Sequence, residues 1–230
     1  MSSRTLCPLC IRPLRACVCG CACRVHSSVQ LLVLQHPMEV GHAKNTARLL
    51  HLCLPGSQLA VGEVWDANAL RALLHAPWPG QPADALVRPV LLYPATPPDP
   101  QLPVVQPPAL PTDWLEAPQH LRLVVIDGTW RKSRKMLYLN PLLQQLPRVA
   151  LQDVPQGRYA IRKAHAEGQL SSFEAAALAL AQLQHWRADA PEWMALMHSF
   201  DLAMQQHQTL QAQGNVQASK DVTPPNTDKH

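Results

Sequence analysis

The stretch "LRLVVIDGTWRKSRKML" (residues 121–137) decides how the rest of the chain is read. A Leu/Val/Ile-rich run ends in Asp127; Gly128, Thr129 and Trp130 follow, and a basic segment begins at once. Such a run suits a strand buried on both faces, as in a parallel sheet. The segment "RKSRKMLYLNPLLQQL" then reads as a helix interrupted near Pro141. Asp127 would therefore stand at the carboxyl end of a strand, where open α/β sheets bind ligands. Taken alone, residues 127–130 also suit an ordinary connection: Asp or Thr as a helix cap, Gly for the turn, Trp for packing.

Working outward, the same alternation recurs. "SVQLLVLQH" (28–36), "SQLAVGEVW", "PVLLYP" (89–94) and "RVALQDV" read as strands. "GHAKNTARLLHLCL", with apolar residues at Ala43, Ala47, Leu50 and Leu54, and "DANALRALLHA", with Asp66 as N-cap, read as helices. Two more follow in "SSFEAAALALAQLQHW" and "PEWMALMHSFDLAMQQHQTLQ". In the first of these, Ser171 and Glu174 fit a capping box. Strands alternating with helices predict an α/β fold with a mostly parallel sheet and helices on both faces. Residues 94–118 hold nine prolines and read as an extended surface loop.

Composition sets the outer bounds. Of 230 residues, 47% are hydrophobic and 16% charged, with a formal net charge of +4, so the chain can bury a real core and its charge is modest. Met1-Ser2-Ser3-Arg4 leads into cysteines without an apolar signal region, and no apolar run is long enough for a bilayer. The expectation is a soluble cytoplasmic protein with no membrane partner. Neither G-x-G-x-x-G nor G-x4-G-K-[ST] occurs, which sets aside a dinucleotide or P-loop enzyme. The division expected is a cysteine module at 1–25, a main domain at 26–212 and a flexible tail at 213–230.

Six of the seven cysteines fall within residues 7–23. Cys7 and Cys10 form a C-x2-C pair, and Cys17 with Cys19 is the chosen second pair for a structural zinc; Cys21 and Cys23 follow at the same step. An iron–sulfur cluster or a merely cysteine-rich terminus are the alternatives, and Cys53 reads as a core residue.

Four segments taken together resemble the DTW-domain proteins, tRNA-uridine aminocarboxypropyltransferases. They are the D-x-T-W core at 127–130, "HPMEVGHAKNTARLL", "RYAIRKAHAEGQLSSFEA" and the N-terminal C-x2-C…C-x-C. The resemblance covers roughly residues 5 to 200, and Ser172 stands where the family pattern has threonine. It implies transfer of the 3-amino-3-carboxypropyl group from S-adenosylmethionine to N3 of a tRNA uridine, giving aminocarboxypropyluridine and 5′-methylthioadenosine. It also implies likeness to SPOUT-type enzymes, whose sheet carries a C-terminal knot. A methyltransferase using the same donor, or a non-enzymatic zinc-and-RNA module, are the rival readings.

That chemistry assigns candidates. Asp127 would take the imide proton or hold the donor's ammonium; Thr129 would orient the loop; Trp130 would stack on adenine or uridine, unless it only plugs the sheet edge. Ser171, Ser172 and Glu174 at a helix start are candidates for the donor's carboxylate end. His36 and Glu39 stand in the same candidate set, with a loop-ordering hydrogen bond favoured over catalysis. Arg48, Arg131, Lys132, Arg134, Arg158, Arg162 and Lys163 would meet the RNA backbone, with Lys135 in the first cluster and Arg12, Arg15 and Arg24 as a further contact.

Overall fold

Strand β4, Leu121–Asp127, is buried along its whole length and forms the spine of a five-stranded, all-parallel sheet. The computed structural model describes residues 5–42, 45–95, 105–151 and 170–220, with side chains to 213. The other strands are β1 (Gln30–Gln35), β2 (Gln58–Val61), β3 (Arg88–Leu92) and β5 (Arg148–Val149), in the order β2-β1-β4-β3-β5. The central strands carry the aliphatic residues, whereas β2 is partly exposed at one edge and β5 is two residues long at the other.

Side chains of the central strands alternate between two apolar layers, as strand geometry requires. Leu31, Val33, Leu121, Leu123, Val125 and Val90 face one layer. That layer is closed by α1 (Ala47–Cys53), α6 (Ser172–Leu183) and α7 (Pro191–Lys220). Leu32, Leu34, Val124, Ile126 and Leu91 face the other, closed by α2 (Ala67–His75), α4 (Trp130–Leu139) and α5 (Pro141–Gln144). The expected parallel sheet, covered on both faces, is the observed one. The chain leaves β1 toward α1 on one face and leaves β4 toward α4 on the other. The crevice between the adjoining carboxyl ends of β1 and β4 is therefore a topological switch point.

The cysteine-rich segment is packed into the first layer: Cys7, Cys10, Val18 and Val25 belong to the same apolar cluster as β1 and α6. Cys17 O accepts from Gln206 Nε2 at 3.0 Å and Ser199 Oγ accepts from Cys23 N at 3.1 Å, which seats the segment on α7. Cys53 is fully buried, as its helical position suggests, and burial pushes its thiol up to about 12.

Several boundaries differ from the sequence reading. The helix after β1 begins at Ala47, since Gly41 takes φ +74 and the chain is still turning there; Ala43 lies outside the described residues. The proline-rich stretch contains α3 (Thr112–Leu115), because Pro111 occupies the helix N-cap, where its missing N–H costs nothing. Residues 96–104 of that stretch lie outside the described residues. Strand pairing in "RVALQDV" stops at Val149, the end of its register with Leu92. Helix α7 continues to Lys220, past the tail boundary at Gln213. A SPOUT-like knot turns on the path between β5 and α6, and residues 152–169 lie outside the described residues. No helix among the described residues is long and apolar enough to cross a membrane.

Candidate active site

Asp127 ends β4 directly opposite Gln35, which ends β1. Its side chain is 5% exposed, and three side chains from three different elements hold it. Gln35 Nε2 donates to Oδ2 at 2.9 Å, Asn45 Nδ2 donates to the same oxygen at 2.6 Å, and Ser172 Oγ donates to Oδ1 at 2.6 Å. Gln35 comes with β1, Asn45 lies just ahead of α1, and Ser172 is the first residue of α6. Asn45 Oδ1 also accepts from Arg48 N at 3.2 Å, which fixes the amide's orientation at the helix start. Since Gln35 Nε2 must face the carboxylate, its Oε1 points elsewhere; it is buried and takes no hydrogen bond from the described residues. A buried acceptor left so has room for a donor that the described residues do not supply.

The other candidates of the D-x-T-W core have distinct surroundings. Thr129 caps α4, its Oγ1 accepting from Lys132 N at 3.4 Å. Gly128 lies tight against the helix and the loop after β1: a Cβ there would stand 3.2 Å from Lys132 Cβ and 3.6 Å from His36 Cβ. Trp130 opens α4 and is 56% exposed, so it does not plug the sheet edge. It meets Tyr93 edge to face, with centroids 6.0 Å apart, and the Arg148 guanidinium lies 5.4 Å from the Tyr93 ring.

Ser171 and Glu174 form the expected capping box. Ser171 Oγ accepts from Glu174 N, and the Glu174 carboxylate accepts from Ser171 N at 3.0 Å. Those groups serve the helix end, while the Ser172 hydroxyl is turned to Asp127. His36 and Glu39 take part in ordering the loop: His36 Nδ1 accepts from Met38 N and His36 Nε2 meets Glu63 Oε1 at 3.1 Å. Glu39 pairs with Lys132 at 2.8 Å. Glu63 also pairs with Lys135 at 3.0 Å, and Lys135, then His36, hold its carboxyl below the ordinary range.

Two of the basic residues read as RNA contacts, Lys132 and Lys135, thus already face carboxylates. Arg131 is exposed and Arg48 half-buried. Arg134 is half-buried on α4. Arg158, Arg162 and Lys163 lie outside the described residues. Arg12 is not a surface residue at all: it is buried, and its Nη2 donates to the Asn45 carbonyl. Its long apolar stem lies in the core beside the cysteines, while Arg15 and Arg24 remain exposed. Sequence reading missed Gln35, Glu63, Tyr93 and Arg148. The signal for Gln35 was a polar residue closing an apolar strand, which only pairing with β4 makes meaningful.

The sulfur atoms of Cys7, Cys10, Cys17 and Cys19 all lie within 4.8 Å of one another. Cys7 and Cys19 are 3.6 Å apart and Cys10 and Cys17 3.7 Å, far beyond a disulfide bond. Metal–sulfur bonds of about 2.3 Å place the corners of a tetrahedron about 3.8 Å apart, so the set could hold a metal ion. Backbone N–H groups of Cys10 and Leu9 bring the Cys7 thiol down to about 6. Burial, and then the neighbouring thiols, push Cys19 up. Cys21 stands apart, donating to Gln206 Oε1 at 3.3 Å.

Residues 4–209 match the family model described as the DTW domain. The chain belongs to the DTW-domain family. It is 27% identical over 196 residues to the "tRNA-uridine aminocarboxypropyltransferase 2" of Macaca fascicularis, across 79% of this chain and 57% of that protein. The Drosophila melanogaster protein of the same name is 32% identical over 195 residues, across 79% of this chain and 67% of its own. "tRNA-uridine aminocarboxypropyltransferase A" of Arabidopsis thaliana is 28% identical over 139 residues, across 58% and 50%. This DTW-domain chain thus spans half to two thirds of the length of these curated relatives. No solved structure matches it. The DTW match takes in the cysteine cluster, the D-x-T-W core and the three residues that hold Asp127, namely Gln35, Asn45 and Ser172.

Proposed function

We propose that this DTW-domain protein transfers the 3-amino-3-carboxypropyl group of S-adenosylmethionine to N3 of a tRNA uridine. The observation that carries the reading is the Asp127 shell: a buried carboxylate fixed from three sides, with the Gln35 Oε1 acceptor, unmet by the described residues, beside it. Both are suited to a cationic, N–H-bearing group such as the methionyl ammonium. That favours the charge-holding role for Asp127 over the role of proton acceptor, because three of its lone pairs are already engaged. Gripping the methionyl end turns the γ-carbon, rather than the methyl, toward the nucleophile. N3 then forms a bond to that carbon as the carbon–sulfur bond breaks, its electron pair stays on sulfur as the neutral thioether methylthioadenosine, and the N3 proton passes to water.

Trp130 supplies the flat face. Exposed at the first turn of α4 and backed by Tyr93, it can stack on an unpaired base, as single-stranded RNA is commonly read. Arg131, Arg15 and Arg24 are exposed and pair with no carboxylate among the described residues, and they would take phosphates together with Arg48 and Arg134. Zinc on Cys7, Cys10, Cys17 and Cys19 would be structural, replacing thiol protons and holding the segment folded on α7.

The test incubates zinc-loaded protein with native tRNA and S-adenosylmethionine, then separates nucleosides and by-products by liquid chromatography and mass spectrometry. Aminocarboxypropyluridine together with methylthioadenosine is the expected result. S-adenosylhomocysteine would instead mean methyl transfer, and RNA binding with neither by-product would mean a non-enzymatic module; either overturns the proposal.

A further inference from the structure

We infer that Arg12 is a positioning residue that ties the cysteine cluster to the Asp127 site, by fixing Asn45. Its main chain belongs to the turn that gathers the thiols: Cys7 N donates to Arg12 O at 2.8 Å and Ile11 N to Cys7 O at 2.9 Å. Ile11 takes φ +57 to close that turn. From there the Arg12 side chain runs inward, 6% exposed, and its guanidinium donates to the Asn45 carbonyl.

Among the described residues, Asn45 is otherwise held only through its amide groups. Its N donates to His42 O at 2.9 Å, its Oδ1 accepts from Arg48 N, and its Nδ2 reaches Asp127 Oδ2. The carbonyl is the remaining handle, and Arg12 takes it. A buried guanidinium is costly unless something compensates its charge. Four thiolates around a divalent cation carry a net charge of about −2, and Arg12 starts two positions beyond Cys10. Metal-bound cluster, Arg12, Asn45 and Asp127 therefore form one chain of contacts, so the cysteine segment sets the geometry of the carboxylate shell besides adding bulk to the core. The consequence for catalysis rests on the transfer reaction proposed above; the tie itself does not.

The experiment compares full-length, zinc-loaded wild type with Arg12→Met and Arg12→Lys. Zinc content is measured by chelator release, and the Asn45 side-chain amide is followed by nitrogen–proton NMR, assigned from an Asn45→Ala variant. Arg12→Met is expected to keep its zinc, to shift the Asn45 amide signals, and to lower kcat/KM for S-adenosylmethionine by on the order of tenfold to a hundredfold. Arg12→Lys, which keeps charge and one donor, should recover part of both effects, and it carries the test by itself if Arg12→Met does not fold. Adding Arg12→Met to Asn45→Ala should cost transfer nothing further, because the two variants break successive links of one chain of contacts, the first at the Asn45 carbonyl and the second at its side-chain amide. An unmoved amide signal with zinc retained, or losses that multiply in the double variant, overturns the inference. Where wild type makes no aminocarboxypropyluridine, the amide signal still decides the tie, and only its catalytic consequence falls with the proposed reaction.

Discussion

Gln30 and Gln35 begin and end β1, and in the register of the sheet each faces a charged residue of β4: Arg122 at the amino end, Asp127 at the carboxyl end. Both charges are buried and both are touched by their glutamine. Beyond that the surroundings diverge. Arg122 Nε donates to Gln30 Oε1 at 2.7 Å, but Nη1 and Nη2 go to the main-chain carbonyls of Leu73 and Ala76 at 2.6 and 2.9 Å. Those carbonyls end α2, where the helix dipole favours a cation, and the Trp78 ring lies 4.2 Å from the guanidinium. Burial still brings Arg122 down to about 10. Any sequence that makes α2 supplies those carbonyls. The Asp127 carboxylate, in contrast, is held among the described residues by side chains of Gln35, Asn45 and Ser172, which a sheet and two helices could form without. One buried charge belongs to the fold; the other is the one we propose serves the reaction.

The largest effect that separates them should come from Asp127→Asn. The new amide fits: its oxygen can keep the Gln35 and Asn45 donors, and its NH2 can meet the Ser172 oxygen. Stability should change by less than about 1 kcal/mol, whereas the proposed transfer should fall on the order of a hundredfold or more because a fixed charge is lost. Nucleoside analysis and a urea melt on the same sample check both halves. Arg122→Met is the converse, expected to cost about 2–4 kcal/mol by leaving buried carbonyls unpaired, with transfer per folded molecule unchanged. A normal urea midpoint for Arg122→Met would erase the contrast.

The paired glutamines sharpen it. Gln35→Leu should lower transfer by roughly tenfold through the loss of one donor and one acceptor at the site, while Gln30→Leu should cost about 1 kcal/mol of stability and leave the rate alone. The smallest effect concerns Glu63. Its folded carboxyl ionises below its ordinary value of 4.5, so its contribution to stability is present above that pH and is lost as the pH falls through the lower, folded value. Glu63→Gln should flatten the acid limb of the melting temperature against pH below about 4.5, and a scan from pH 6 to 3 reads it.

What the sequence disclosed was local. The limits of β4, the Asp66 cap, the Ser171–Glu174 box and the four clustered cysteines follow from spacings of a few residues, and the structure has each in place. What it concealed was carried by distance. Gln35 lies 92 positions from Asp127 and does not announce itself until the sheet register joins them; Asn45 stands in a segment that the sequence marks out, but 82 positions hide its contact with Asp127. Arg12 misled for a related reason: a basic residue among basic residues suggests solvent, and only the turn at Ile11 sends it inward. Composition likewise hid α3, because proline excludes helix interiors but not helix starts.

The 92-residue separation of Gln35 from Asp127 has a bearing on how the molecule comes into being. During synthesis the aliphatic ribbon at Gln30–Gln35 emerges long before its central neighbour, and β2 can cover only one of its edges. Until Leu121–Asp127 leaves the ribosome, the other edge stays unpaired, the condition in which nascent chains stick to one another and engage chaperones. Yield in a cell should therefore depend on translation speed between these two segments.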